Sequence, residues 1–274
     1  MFAKRTNTKS GLLATIEFLE LVYHSTTRAL RKTHGNALIG LLLSMLQTIM
    51  MVVVFYVMFE LLQLRGMSLR GDFFMFLLSG IFIYMTHIKV MGSILSSEGP
   101  TSPMMMHAPM NTFVAILAAS FSSLYIQMLS LAVIIGGYHV AIKPVEIHDP
   151  FGAFMMILLG WFSGIGVGLV FLALKPWFPG FTQQLNSFYT RVNIFASGKM
   201  TVGNMLPYTL LPMFLWNPLF HIIDQARGYV FVNYFPHHTN YWYPLILSVV
   251  LILIGLMAES YTRKHASLSW FARR

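Results

Sequence analysis

The stretch "LWNPLFHIIDQARGYVF", residues 215 to 231, sets a histidine, an aspartate and an arginine between two strongly apolar segments. His221 and Asp224 lie one helical turn apart, the residue types that an intramembrane acyltransferase-type enzyme would use. Asp224 and Arg227 stand at i, i+3, where a helix lets opposite charges pair. Asn217 followed by Pro218 predicts a helix start, with asparagine as N-cap and proline at the first helical position, where the missing N–H is no loss. On that helix Leu219, Ile222, Ile223 and Ala226 make an apolar face, and His221, Asp224 and Gln225 a polar one. Gly228 is placed to end it. A helix closed by its own ion pair and a helix that carries function both remain open readings.

Other polar residues recur with helical spacing. Gln183, Asn186, Thr190, Asn193 and Ser197 follow at three- and four-residue steps and share a face, flanked by Ser187 and Arg191. Such a stripe in an apolar surrounding must face a wet pathway, another subunit or interhelical hydrogen bonds, because lipid cannot solvate it. Tyr84, His87 and Met91 share another face with Lys89 beside it, and that lysine either lines a pathway or snorkels to the nearer membrane surface. Tyr208, Trp216, Phe220, Tyr229, Tyr234, Tyr241, Trp242 and Tyr243 crowd around the 217 to 228 segment, a density that suits an interfacial belt and also the stacking of rings on sugar faces.

The elements that must position these groups follow from composition. Of 274 residues 56% are apolar and only 10% charged, a balance that excludes an ordinary soluble domain. A helix needs about 20 apolar residues to cross the hydrocarbon. Residues 36 to 62, 71 to 95, 111 to 140 and 151 to 175 supply four such spans. A fifth, more polar span is expected from about 181 to 197, and a sixth from about 241 to 261. Between those two, "MLPYTLLPMFLW" is interrupted by Pro207 and Pro212 and is too short to cross, so residues 198 to 240 read as a re-entrant hairpin, shielded from lipid by protein or water. Gly160, Gly164 and Gly168 repeat every four residues and prepare one face for close helix packing.

Residues 11 to 32 place Leu12, Ile16, Leu19 and Tyr23 in an apolar stripe beside Glu17, Glu20 and His24. This predicts an amphipathic helix lying on the membrane, an anchor or a docking surface for a cytoplasmic partner. The expected fold is thus an all-α integral membrane protein with six transmembrane helices, an N-terminal amphipathic interface helix and the hairpin before the last span. Its parts are a cytoplasmic segment (1–35), a six-span domain (36–262) and a basic cytoplasmic tail (263–274).

Lys4, Arg5, Lys9, Arg28, Arg31 and Lys32 precede the first span, and Arg263, Lys264, Arg273 and Arg274 follow the last. The segments that six crossings put outside carry Arg65, Arg70, Lys143, Lys199 and Arg227. The excess of positive charge at the ends places both termini in the cytoplasm. The net charge of +9 therefore reflects topology and attraction to anionic headgroups, not binding of nucleic acid. The first 35 residues lack the short apolar core of a signal peptide, so the N-terminus is expected to be retained. With no cysteine in the chain, disulfides and thiolate metal sites are excluded, and the ten histidines show no ligand spacing. There is no phosphate-binding GxxxxGK[ST], no HExxH and no GxSxG, so energy for any pumping must come from elsewhere. Glu60, Asp72, Glu98, Glu146 and Asp149 fall at loops or span ends, which disfavours a proton-coupled carrier.

The segment "NPLFHIIDQARG", with Asn217, Pro218, Leu219, His221, Asp224 and Arg227, resembles the one before the last helix in membrane permeases of type-2 ABC exporters, particularly those for capsular polysaccharide. The likeness extends to "LRKTHGNALIGLLLSML", to "FLLSGIFIY", and to Ser197-Gly198 followed by Leu206-Pro207, and covers roughly residues 20 to 265. The resemblance implies a non-enzymatic permease subunit that acts as a homodimer with two copies of a cytoplasmic ATPase and moves a lipid-linked or polyanionic glycan across a Gram-negative inner membrane. It implies ATP and Mg²⁺ on the ATPase and no cofactor on this chain. Periplasmic copolymerase and outer-membrane export proteins are further expected partners. Tyr84, His87, Gln183, Asn186, Thr190, Arg191 and Asn193 would line the path. Trp216, Asn217, Pro218, His221, Asp224 and Arg227 would form the outer gate. Glu17, Glu20, Arg28, Glu98, Pro100 and Pro103 would face the ATPase. O-antigen, a teichoic-type polymer or a hydrophobic drug are the alternative cargoes.

Overall fold

The computed structural model describes residues 19–28, 30, 37–62, 71–97 and 112–265, all helices and connections with no strand among them. Helix α1 covers residues 19–28. It is followed by α2 (Ala37–Leu61), α3 (Phe73–Leu95), α4 (Thr112–Ala141) and α5 (Pro150–Leu174). The remainder is α6 (Pro179–Ala196), a 3-10 turn (Gly203–Met205), α7 (Leu211–Leu215), α8 (Pro218–Val230) and α9 (Trp242–His265).

Among the described residues, five helices are long and apolar enough to cross a membrane, over Leu42–Leu61, Phe73–Leu95, Thr112–Ala141, Pro150–Leu174 and Trp242–Arg263. Each lies where a span was expected, within a few residues. The expected fifth span is present as the helix α6, whose 18 residues reach about 27 Å. It is absent from those five, because its polar stripe lowers its apolarity.

α5 sits at the centre and packs most extensively on α9 and α3. Gly160, Gly164 and Gly168 line the α3 contact. A Cβ on Gly160 would stand 2.9 Å from Ile83 Cγ2, one on Gly164 2.6 Å from the His87 carbonyl, and one on Gly168 3.2 Å from Met91 Cα. The three-glycine face is therefore a packing face, as its spacing predicts.

Side-chain ties mark the two ends of the bundle. At one, Asp72 caps α3 through the Phe74 N–H (3.0 Å), receives the Tyr138 hydroxyl from the end of α4 (2.6 Å) and lies 3.7 Å from Lys143 Nζ. Asp149 caps α5 through Gly152 N–H (3.0 Å) at that same end, its own N–H donating to Tyr229 O of α8 (2.8 Å). At the other, Lys175 Nζ after α5 donates to Leu95 O of α3 (2.8 Å), and Trp177 Nε1 donates to Thr262 Oγ1 of α9 (3.0 Å). Ser44 near the start of α2 meets Lys89 near the end of α3, so α2 starts and α9 finishes at one end of the bundle.

The stretch from Ala196 to Trp242 dips into the bundle and returns. Asn204 already stands at the level of the α8–α9 connection, donating to Phe235 O (2.7 Å) and accepting from His237 N–H (3.1 Å). Fifteen residues later Leu219 packs with Ile83 and Met156, which lie about 15 Å and 9 Å along α3 and α5 from their starts. α8 then climbs about 20 Å back to the Asp149 end.

Candidate functional site

Local sequence dictates the start of α8 as expected. Asn217 Oδ1 accepts the Leu219 N–H (3.0 Å), and its amide nitrogen donates to Asn193 Oδ1 (2.8 Å) and Ala196 O (2.9 Å), fastening α8 to the end of α6. Two expectations for this helix are corrected. It runs through Gly228 to Val230, and Gly228 serves close approach, since a Cβ there would lie 2.8 Å from the Pro236 ring. Nor is α8 an interfacial helix with one wet face: Leu219, Ile222 and Ile223 are buried, and so are His221, Asp224 and Arg227.

The expected Asp224–Arg227 ion pair is likewise replaced, because both charges take hydrogen-bond partners from the loops around α8 and not from each other. Asp224 accepts from the Tyr234 hydroxyl (2.5 Å), the Thr239 hydroxyl (2.9 Å) and the Gly203 N–H (3.1 Å). Arg227, fully enclosed, donates to the carbonyls of Gly198 (3.0 Å), Lys199 (2.5 Å) and Thr201 and lies 4.2 Å from the centre of the Phe76 ring. Arg227 Nε has no hydrogen-bond partner among the described residues, and the bonds made by its two terminal nitrogens are charge-assisted, the stronger kind, which makes the buried charge tolerable. Burial, with the adjacent Asp224 carboxylate, raises the Tyr234 phenol well above its ordinary pKa, so it stays protonated and donates.

His221 accepts the Asn240 N–H at Nδ1 (3.1 Å), which leaves Nε2–H to donate to Leu215 O (2.9 Å). Imidazole and carboxylate thus hold separate partners, and the His–Asp combination on which an acyltransferase reading rests is not hydrogen-bonded. What α8 does chemically is to clamp two connections, 198–203 through Arg227 and Asp224 and 234–240 through Asp224, His221 and the Gln225–Thr239 bond (2.8 Å). Trp216 stands at the mouth of this clamp, 83% exposed, its carbonyl accepting the Tyr243 hydroxyl (2.9 Å).

α6 distributes its stripe over two environments. Asn193 and Ser197 are buried, Asn186 and Thr190 half-buried, and Gln183, Ser187 and Arg191 exposed. With Gln184 and Phe188 the exposed residues border an open cleft of about 520 Å³. Behind α6, Tyr84 donates to Thr190 O (3.1 Å), and His87 joins Ser163 Oγ through Nδ1 (2.8 Å) and the Tyr189 hydroxyl through Nε2 (2.9 Å). Tyr84 and His87 are enclosed between α3, α5 and α6 and do not reach the cleft in this single chain. On α1, Glu20 and Arg28 are exposed, with Glu20 3.6 Å from His24. Glu17, Glu98, Pro100 and Pro103 lie outside the described residues.

Comparison with known proteins agrees with a transport role for relatives of this chain. Two curated proteins of Escherichia coli, both called polysialic acid transport protein KpsM, match 104 residues at 30% and 29% identity. The match takes in 38% of this chain and 40% of each relative, so the chain spans about two-fifths of their length. No family model matches the chain.

Several residues of the clamp escape a reading of spacing alone. Tyr234 and Thr239 register only as belt or loop, and Lys199 only as one external charge. In the fold Lys199 is fully enclosed, its ammonium 3.8 Å from the Tyr84 ring centre and 4.9 Å from that of Phe55. Gly198, at φ +70°, turns the chain to present the three carbonyls to Arg227. The signal available was Ser-Gly-Lys directly after a polar span: a glycine for the turn and a cation with aromatic residues in reach.

Proposed function

We propose that this chain is one of two identical membrane subunits of an ATP-driven exporter that carries an anionic, capsular-type polysaccharide outward across a bacterial inner membrane. The observation that carries the reading is the open face of α6. Gln183, Gln184, Ser187 and Arg191 are exposed on a helix enclosed on its other side by α3 and α5, which themselves have the character of spans. Lipid cannot cover such a face, whereas a second copy enclosing a water-filled path can. Similarity to polysialic acid transport proteins supports an anionic glycan as cargo.

In this reading α6 is the fifth of six crossings, both termini are cytoplasmic, and α7–α8 enter from the outside as a re-entrant hairpin. Gln183, Ser187 and Arg191 line the path with the half-buried Asn186 and Thr190 beside them, Asn193 fastens α6 to the start of α8, and Tyr84 and His87 hold α6 in register from behind. Trp216, Asn217, Pro218, His221, Asp224 and Arg227 belong to the outer gate, where Trp216 is free to stack on a sugar while the others hold the gate's shape. α1, through Glu17, Glu20 and Arg28, and the segment with Glu98, Pro100 and Pro103 meet a separate ATPase, which binds ATP and Mg²⁺. Closure of the ATPase pair shifts the population between inward- and outward-facing arrangements, with no bond made or broken in this chain.

Replacing Ser187 by tryptophan tests the path directly. The indole fills the cleft without disturbing a buried contact, so surface polysaccharide should fall while the amount of protein in the membrane is unchanged. Undiminished export would contradict the assignment of the path to α6.

A further inference from the structure

Lys89 is a cation that neither the clamp nor the path employs. It lies six residues before the end of α3, about 9 Å along the axis, and Ser44 lies a similar distance from the start of α2. Lys89 Nζ donates to Ser44 Oγ (2.7 Å) and Ser44 O (3.3 Å), and no carboxylate pairs with it among the described residues. Ser44 Oγ donates in turn to Gln127 Oε1 (2.8 Å), and Ser130 Oγ lies 3.3 Å from it. A polar network thus braces the lysine from α2 and α4.

Beside this network a cleft of about 280 Å³ opens between α2, α3 and α4. Lys89, Gln47 and Ser123 line it, and neither the Gln47 amide nor the Ser123 hydroxyl has a hydrogen-bond partner among the described residues. An ammonium with N–H capacity to spare, an amide and a hydroxyl form a donor-rich, cationic set suited to an oxyanion with several acceptor atoms. Depth narrows the choice. α3 spans about 35 Å against roughly 30 Å of hydrocarbon, so a site about 9 Å from its end lies just beneath the headgroup layer, within reach of a lysine stem. Basic pockets between membrane helices at this level take lipid headgroups.

We propose that the α2–α3–α4 cleft around Lys89 binds the phosphate of an anionic membrane lipid, with Lys89 as its counter-charge and Gln47 and Ser123 as neutral donors. The site is independent of the cargo of the exporter and of the cleft on α6.

The test uses the purified full chain in neutral detergent, titrated with phosphatidylglycerol or phosphatidylcholine, with retained lipid counted by mass spectrometry of the intact complex. The wild type should retain phosphatidylglycerol about tenfold better than phosphatidylcholine. Lys89→Gln should remove the preference, Lys89→Arg should keep it, and Ser123→Leu, which fills the cleft but leaves the charge, should weaken retention of phosphatidylglycerol. Lys143→Gln, at the opposite end of the bundle, should behave as the wild type. Should Lys89→Gln fail to fold, the Arg and Leu variants decide, since equal retention by the two would overturn the site. Equal preference in wild type and Lys89→Gln would also overturn it. Displacement of the lipid by inorganic phosphate at the same concentration would overturn the lipid as ligand and leave a site for a free phosphate ion.

Discussion

Arg227→Met is the substitution whose cost follows most directly from the clamp. Methionine matches much of the length of arginine but strips the donors from the carbonyls of Gly198 and Lys199, which are buried, and of the half-buried Thr201. Each carbonyl left without a donor costs about 1–3 kcal/mol when buried. The three costs do not add fully, because the freed 198–203 segment relaxes toward water, and truncating one member of a buried polar cluster costs about 3–5 kcal/mol. The face contact with Phe76 survives in part, since a thioether also packs well on a ring. About 4 kcal/mol corresponds to a fall in Tm of roughly 10 °C for a chain of this size. Melting of the detergent-solubilised protein, followed by loss of the monodisperse peak, measures it. Arg227→Lys should lie between wild type and Arg227→Met, as one ammonium keeps the charge but not the planar fork that reaches three acceptors. Arg227→Met melting at the wild-type temperature would refute the claim that this side chain holds the loop.

Gly164→Ala should lower Tm by several degrees, because the added methyl would meet the His87 carbonyl at 2.6 Å and separate α3 from α5; melting of the variant checks this. Tyr234→Phe should cost about 1–2 kcal/mol by removing one of the three donors to buried Asp224, and Thr239→Val a similar amount, while the double variant should cost more than the sum, as the two hydroxyls serve the two oxygens of one carboxylate and each loss strengthens the bond that remains; a double-mutant cycle on Tm reads this coupling. In a chain without cysteine, Ser187→Cys gives a single thiol on the open face of α6. A bifunctional maleimide long enough to bridge the path should join two copies through that thiol in membranes, whereas a cysteine at Ile246, exposed on α9, should not cross-link; the reverse pattern would place the dimer interface elsewhere.

Apolar length was enough to locate five helices, because hydrocarbon thickness fixes how many apolar residues a crossing needs. The start of α8 was equally legible, since Asn217-Pro218 encodes a cap through contacts confined to neighbouring residues. The course of the chain around α8 was not. Asp224 and Arg227 have the spacing of an ion pair, yet their partners come from residues 198–203 and 234–239, and periodicity along one helix contains no information about which loops close over it. Gly228 shows the same boundary: its small size serves Pro236, eight residues on, and not the end of its own helix. The α6 stripe gave the residues that share a face, but only the fold divides them into Asn193 and Ser197, buried against α8, and Gln183, Ser187 and Arg191, open at the cleft.

The export reading is tested most directly by depleting this chain in its native cell and measuring polysaccharide outside and inside, with growth and ATP held constant. Export by this chain predicts that surface polysaccharide falls while the same polymer accumulates in the cytoplasm. Both pools unchanged, or both falling together without accumulation, would contradict it.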